Sequence, residues 1–200
     1  MDWDNVIADE RCILPVHRTL GRGGNAIDRI VIHYNDGDLS IAGAFNVWLT
    51  RVASAHYQVD SAGRIGQVVW DKDTAWHAGV WWVNQCSLGI EHANQGDRIT
   101  DECLESGAHL VAALCRFYDL GRPEWGTNVF GHSDFSPTAC PGPLSYGRPQ
   151  HDEYMRRAAY WYDVMTGARD AAPEGEEEVT DEDIERIAQR TRSLVWGFNW

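Results

Sequence analysis

The residues in this chain best equipped for chemistry are two histidines and a cysteine. His33 closes the apolar run Arg29-Ile30-Val31-Ile32, His132 follows Thr127-Asn128-Val129-Phe130-Gly131, and Cys140 opens the turn-forming stretch Cys140-Pro141-Gly142-Pro143. Two imidazoles and one thiolate make a mixed donor set that suits Zn²⁺ and leaves a fourth tetrahedral position open to water, as in hydrolytic zinc sites. Taken singly, each residue says little. A histidine ending an apolar run is more often a hydrogen-bonded structural residue, and free cysteine is among the most buried residue types. Their placement says more, because both histidines fall where strands end and a rigid sheet could deliver them together. A purely structural zinc site would need four protein ligands, and no fourth candidate stands close to Cys140.

The elements that must position these groups follow from hydrophobic periodicity. Arg29 to His33 reads as a buried strand, and Ile41 to Val52 as a short helix with Phe45, Trp48, Leu49 and Val52 on one face. Ala55 to Val59 and Arg64 to Val69 read as a hairpin about Asp60-Ser61-Ala62-Gly63, and Ser87 to Ala93 as another strand. Thr100 caps the clearest helix, with Cys103, Leu104, Ala108, Val111, Leu114, Cys115 and Tyr118 at helical spacing and Gly121 and Pro123 stopping it. After the strand to His132 and the loop to Cys140, a helix runs from about Gln150 to Met165, with Tyr154, Ala158, Trp161, Tyr162 and Met165 on one side. The lead before Arg29 reads as irregular.

Two hundred residues with 44% hydrophobic content suffice for one core plus a tail. A net charge of -13 argues against nucleic acid and anionic membranes, which clustered Lys and Arg would bind. Five cysteines (Cys12, Cys86, Cys103, Cys115 and Cys140) form an odd set without tight repeated spacing, which disfavours a disulfide framework and fits folding in a reducing compartment. Met1-Asp2-Trp3-Asp4-Asn5 lacks a secretory n-region and no apolar run reaches membrane-spanning length, so synthesis in the cytoplasm without a signal peptide is expected. From Ala168 the composition turns acidic through Glu174-Gly175-Glu176-Glu177-Glu178. The expected organisation is a catalytic domain over 1–167, an acidic linker over 168–179 and a short helical segment over 180–200 carrying Ile184, Ile187 and Leu194. Too short to fold alone, that segment would self-associate, dock, or belong to a further module.

Between the ligand candidates lie Arg51-Val52-Ala53-Ser54-Ala55-His56-Tyr57, Ala75-Trp76-His77-Ala78-Gly79-Val80 and Ser87-Leu88-Gly89-Ile90-Glu91. In order and spacing, from about Arg29 to Pro143, these segments resemble the zinc N-acetylmuramoyl-L-alanine amidases: phage endolysins, bacterial autolysins, cytosolic wall-recycling amidases and peptidoglycan recognition proteins. The resemblance implies an α/β fold, a mixed central β-sheet flanked by helices, and one Zn²⁺ per chain held by His33, His132 and Cys140. The third ligand is Cys or Asp in the family, and this chain has the thiol form. Glu91 matches the carboxylate of the family's Gly-Ile-Glu motif, and His77 the pocket histidine of its Trp-His-Ala-Gly motif. Two positions depart from it. Many members carry lysine where Thr138 stands, a replacement shared with the catalytic recognition proteins, and short phage enzymes carry a catalytic tyrosine where this chain has Ala55.

The implied reaction is hydrolysis of the amide between N-acetylmuramic acid and the first L-alanine of the stem peptide. The acid-base role then falls on Glu91, and the Thr138 hydroxyl is the candidate donor to the developing oxyanion. Trp76, His77 and His56 are the candidate substrate-binding residues, although His56 reads mostly as a supporting or packing residue and His77 could simply pack on Trp76. Trp81 and Trp82 flank the expected cleft, where stacking on substrate and core packing explain them equally well. His17, His92, His109 and His151 sit in no matching motif and read as structural. Peptidoglycan or its muropeptide fragments is the expected partner, with no nucleic acid and no membrane insertion. An endolysin, released onto the wall in phage or prophage lysis, fits the whole chain best. A wall-recycling amidase and a non-catalytic peptidoglycan-binding module are the alternatives.

Overall fold

A computed structural model describes residues 1–169 of the chain. In chain order it contains β1 (Glu10–Arg11), β2 (Arg18–Thr19), β3 (Arg29–Tyr34), α1 (Ile41–Thr50), β4 (Tyr57–Val59), β5 (Ile65–Gln67), β6 (Thr74–Ala75), α2 (Trp81–Cys86), β7 (Ser87–His92), α3 (Asp101–Phe117), β8 (Val129–Gly131) and α4 (His151–Met165). Single 3-10 turns cover His132–Asp134 and Gly142–Leu144. Six strands form one mixed sheet in the order β1-β5-β4-β7-β3-β8, and β2 pairs with β6 in a separate antiparallel ribbon. This is the α/β architecture expected, a mixed sheet flanked by helices.

The alternation of side chains along the central strands decides which face does chemistry. On β3, Ile30 and Ile32 join Leu88 and Ile90 of β7 and Tyr57 of β4 in the main core. That core is closed by Leu104, Ala108, Val111 and Leu114 of α3 and by Tyr154 and Ala158 of α4. Each such buried aliphatic side chain contributes about 1.5–3 kcal/mol, so this face fixes the sheet. The residues of opposite parity, Val31 and His33 on β3 and Ser87, Gly89 and Glu91 on β7, face the other way, where Val31 packs with Ala78 and Val83. Parallel β3–β7 pairing puts His33 directly beside Glu91, and parallel β3–β8 pairing ends with Ile32 opposite Gly131, one residue before His132. The C-terminal ends of three parallel strands therefore meet at one edge, the usual position of ligand sites in such sheets.

Several boundaries differ from those the sequence suggests. The first helix stops at Thr50 because Arg51 leaves it in an extended conformation (φ -80, ψ 130). Its buried stripe is accordingly Ile41, Ala44 and Trp48, while Leu49 and Val52 are exposed at 38% and 73%. The hairpin pairs only over Tyr57–Val59 and Ile65–Gln67, because Val68 and Val69 both direct their amides at the His56 carbonyl and break the ladder. The lead read as irregular contributes β1 and β2, and α2 was not anticipated. Thr100 caps α3 as expected, its hydroxyl accepting from the Cys103 amide at 3.2 Å. The expected linker and terminal helix fall, from residue 170 onward, outside the described residues.

Candidate metal centre

Local chemistry holds each of the three candidate ligands. His33 stands near the end of β3, 2% exposed, between two hydrogen-bonded parallel neighbours. Past β8, the Asp134 carboxylate accepts the Gly131 amide at 2.7 Å and tightens the turn that swings His132 inward. The loop then returns so that Ser133 donates its amide to the Cys140 carbonyl at 2.9 Å, and the Cys140–Pro141 bond is cis. The three donor atoms lie within 4.8 Å of one another, the one such group of His, Cys, Asp or Glu among the described residues. Cys140 Sγ stands 3.5 Å from His33 Nδ1.

The electrostatics suit a cation. Burial, with neighbouring imidazoles adding to it, holds His33 well below the usual histidine range, and burial lowers His132 as well, so both rings are neutral and carry a lone pair. Burial beside Glu91 pushes the Cys140 thiol far up, and only a positive charge placed among these atoms would make it a thiolate. Two neutral nitrogen donors and a thiol, converging with no fourth protein ligand in the group, match an open catalytic zinc site better than a closed structural one.

These groups line a cavity of about 430 Å³ together with Glu91, Thr138, His77, Trp76 and Arg51. Glu91 is raised to about 8, chiefly by burial, which the Arg51 charge and a 3.1 Å bond from Asn35 Nδ2 oppose. Asn35 is itself locked to Gln58 by paired amide bonds of 3.0 and 2.7 Å, so the carboxylate has a fixed partner. Thr138 is exposed, and its oxygen accepts from the Cys140 amide at 3.2 Å, which leaves its own proton available to the cavity. Trp76 forms a wall, its indole N–H donating to Thr19 at 3.1 Å.

Other candidates are placed differently. His77 reaches the cavity, but both its ring nitrogens are hydrogen-bonded inside the protein, to His33 at 3.0 Å and Ser87 at 3.1 Å. His56 is fully buried and outside the cavity wall, with its Nδ1 accepting from the Gly89 amide at 3.0 Å. Trp81 and Trp82 are half-exposed and also stand outside the wall. A second hollow of about 480 Å³, between Arg122–Trp125 and α4, is slightly larger but lacks the histidine and cysteine cluster. Sequence reasoning missed Asn35 and Arg51. Asn35 sits two residues after His33, where strand parity already puts it on the same face, whereas Arg51 opens a segment that resembles the family but was read as part of the first helix.

Residues 23–143, more than half of the chain, match the model of the N-acetylmuramoyl-L-alanine amidase family. The chain belongs to this family. The match covers both histidines, the cysteine and Glu91. As an N-acetylmuramoyl-L-alanine amidase, the protein hydrolyses the amide joining N-acetylmuramic acid to L-alanine in peptidoglycan. Comparison with curated proteins found no match. Among solved structures the amidase is similar to a mutant endolysin from Bacillus subtilis (22% identity, 74% of this chain and 97% of that one, TM-score 0.60). It is also similar to PlyL (19%, 76% and 97%, TM-score 0.61) and to the Staphylococcus aureus hydrolase AmiA in complex with its ligand (20%, 79% and 84%, TM-score 0.66). At such identities these likenesses show the fold alone. No helix among the described residues of the amidase is long and apolar enough to cross a membrane.

Proposed function

We propose that this amidase is a zinc enzyme in which His33, His132 and Cys140 hold the ion and Glu91 moves the protons. The observation that supports this most is the convergence of two neutral imidazoles, a thiol and a partly buried carboxyl on one cavity at the ends of parallel strands. A bound zinc ion supplies Lewis acidity to the acyl carbonyl and lowers the pKa of the attacking water to about 7. Glu91, held by Asn35, accepts the proton of that water and delivers it to the departing L-alanine nitrogen, which leaves as an amine. The buried position of Ala55 offers no hydroxyl to share this work. Thr138 donates its hydroxyl proton to the oxyanion as the carbonyl becomes tetrahedral, without the charge a lysine would bring. Trp76 and Arg51 bound the space in which the muramoyl and stem-peptide groups lie.

Its biological use, we infer, is lysis. Supporting this is the likeness of the described unit to the Bacillus subtilis endolysin across 97% of that chain. Mass spectrometry of intact sacculi and of soluble muropeptides, each digested with the zinc-loaded protein, tests both readings. Stem peptides with free L-alanine amino termini, released from both substrates beside uncut glycan, are expected. Release from muropeptides alone would replace lysis with wall recycling, and cleavage elsewhere would overturn the reaction.

A further inference from the structure

We propose that Asn84 and Ser87, one in α2 and one at the start of β7, are positioning residues for the metal centre. They fix His77 so that the His33 imidazole carries its proton on Nε2 and keeps a bare Nδ1 beside Cys140. The inference rests on the ligand assignment above and adds how that assignment is enforced.

The argument follows single protons. Ser87 is fully buried and its hydroxyl donates to the Val83 carbonyl at 2.5 Å, which uses its only proton. Toward the His77 Nε2, 3.1 Å away, Ser87 Oγ can then only accept, so that nitrogen carries a hydrogen. A neutral imidazole carries one hydrogen, so with Nε2 protonated the His77 Nδ1 is bare. Bare Nδ1 stands 3.0 Å from His33 Nε2, which must therefore donate, and the remaining lone pair of His33 is on Nδ1, the nitrogen facing Cys140 Sγ. A hydroxyl spent on a carbonyl thus selects, two residues away, the tautomer that can ligate a metal.

The backbone that carries the His77 ring is held as well. Asn84, 6% exposed, makes the His77–Ala78 dipeptide rigid: its Oδ1 accepts from the His77 amide at 3.1 Å and from the Ala78 amide at 2.8 Å. Glycines leave room for the arrangement. A Cβ on Gly89 would stand 2.7 Å from the His77 ring, and Gly79, at φ +71, would carry one 2.6 Å from Ser136 Oγ. His77 is accordingly held through its backbone by Asn84 and through its ring by Ser87.

The test uses ¹⁵N imidazole NMR on the zinc-free full chain, with zinc affinity measured by chelator competition. In the wild type, His33 is expected to show protonated Nε2 and bare Nδ1. Ser87→Ala and Asn84→Ala should each weaken zinc binding about 10–100-fold. Ser87→Ala should also raise the Nδ1–H population of His33, and Ser87→Thr, which keeps the hydroxyl, should restore both readings. A proton on Nδ1 of His33 in the wild type overturns the proposal, and that spectrum decides even if a variant does not fold. So does wild-type zinc affinity in a folded Ser87→Ala. Cys140→Ser separates the two levels: if it keeps full zinc affinity the ligand assignment fails, and if it alone loses zinc only the positioning role fails.

Discussion

At the scale of single residues, ligand and base have separable signatures. His33→Ala and Cys140→Ser each remove a donor from the cluster, so metal analysis after dialysis should show sharply less than one zinc per chain. Glu91→Gln leaves the donors intact and should keep zinc while losing at least about two orders of magnitude in turnover. The pH dependence follows from the cause of the Glu91 shift. Burial raises the carboxyl to about 8, the base works ionised, and a cation nearby pulls the value down. Turnover should therefore fall as pH drops through the Glu91 ionisation, an ascending limb below about pH 8 that Glu91→Gln removes from its residual rate. In the zinc-free protein the same group has a stability consequence. Its folded value lies above the ordinary 4.5, so its stabilising contribution is complete below about pH 4.5 and is lost as pH rises through about 8. Metal-free Glu91→Gln should melt above the metal-free wild type at pH 9 and near it at pH 4, which differential scanning calorimetry reads directly.

At the scale of elements, what could be read in the sequence was what repeats. Strands β3 and β7 and helices α3 and α4 announced themselves by apolar periodicity, and Thr100 marked its helix by a hydroxyl before an acidic first turn. Thr100→Ala should cost about 1 kcal/mol of folding stability, measurable by urea denaturation, because the Cys103 amide loses its partner. Two-residue strands such as β1, β2 and β6 have no period to detect, and their pairing is decided by distant partners. The six residues of α2 carry too few turns for a pattern, yet that helix holds Asn84. The same division runs through the site. His33, His132, Cys140 and Glu91 were legible from type, spacing and resemblance, and strand parity alone would have put Ser87 and Gly89 on the face of Glu91. What His77 does was not legible, since its nitrogens are committed by hydrogen bonds to His33 and Ser87. Arg51 was hidden by the helix end, which the apolar Val52 seemed to carry further.

At the scale of the whole molecule, the first residues and helices α3 and α4 are held by a stack of rings. Trp3 lies on His109 of α3 (centroids 3.7 Å apart, 10° between planes), and His109 lies on Trp161 of α4 (4.0 Å, 3°). Burial in this sandwich lowers His109 to about 4. The folded value lies below the free one, so its contribution is complete above about pH 6.5 and declines as pH falls toward about 4. Thermal melting followed from pH 7 to pH 4 should show less acid destabilisation in His109→Gln than in the wild type. The chain beyond the described residues carries no matched motif, and we propose that it serves self-association, docking or connection to a wall-binding module. A chain cut near Gly167 should keep its zinc and its turnover on soluble muropeptides, and light scattering of both forms would reveal any change in association. Loss of zinc from a folded cut form would make the tail part of the catalytic unit.

The central claim is that one zinc ion sits on two imidazoles and one thiolate with a position left open to water. X-ray absorption at the zinc edge of the loaded full chain tests it most directly. The account predicts one sulfur at about 2.3 Å with two nitrogens and one further light atom at about 2.0–2.2 Å. A shell without sulfur, or one with two or more sulfurs, would contradict it.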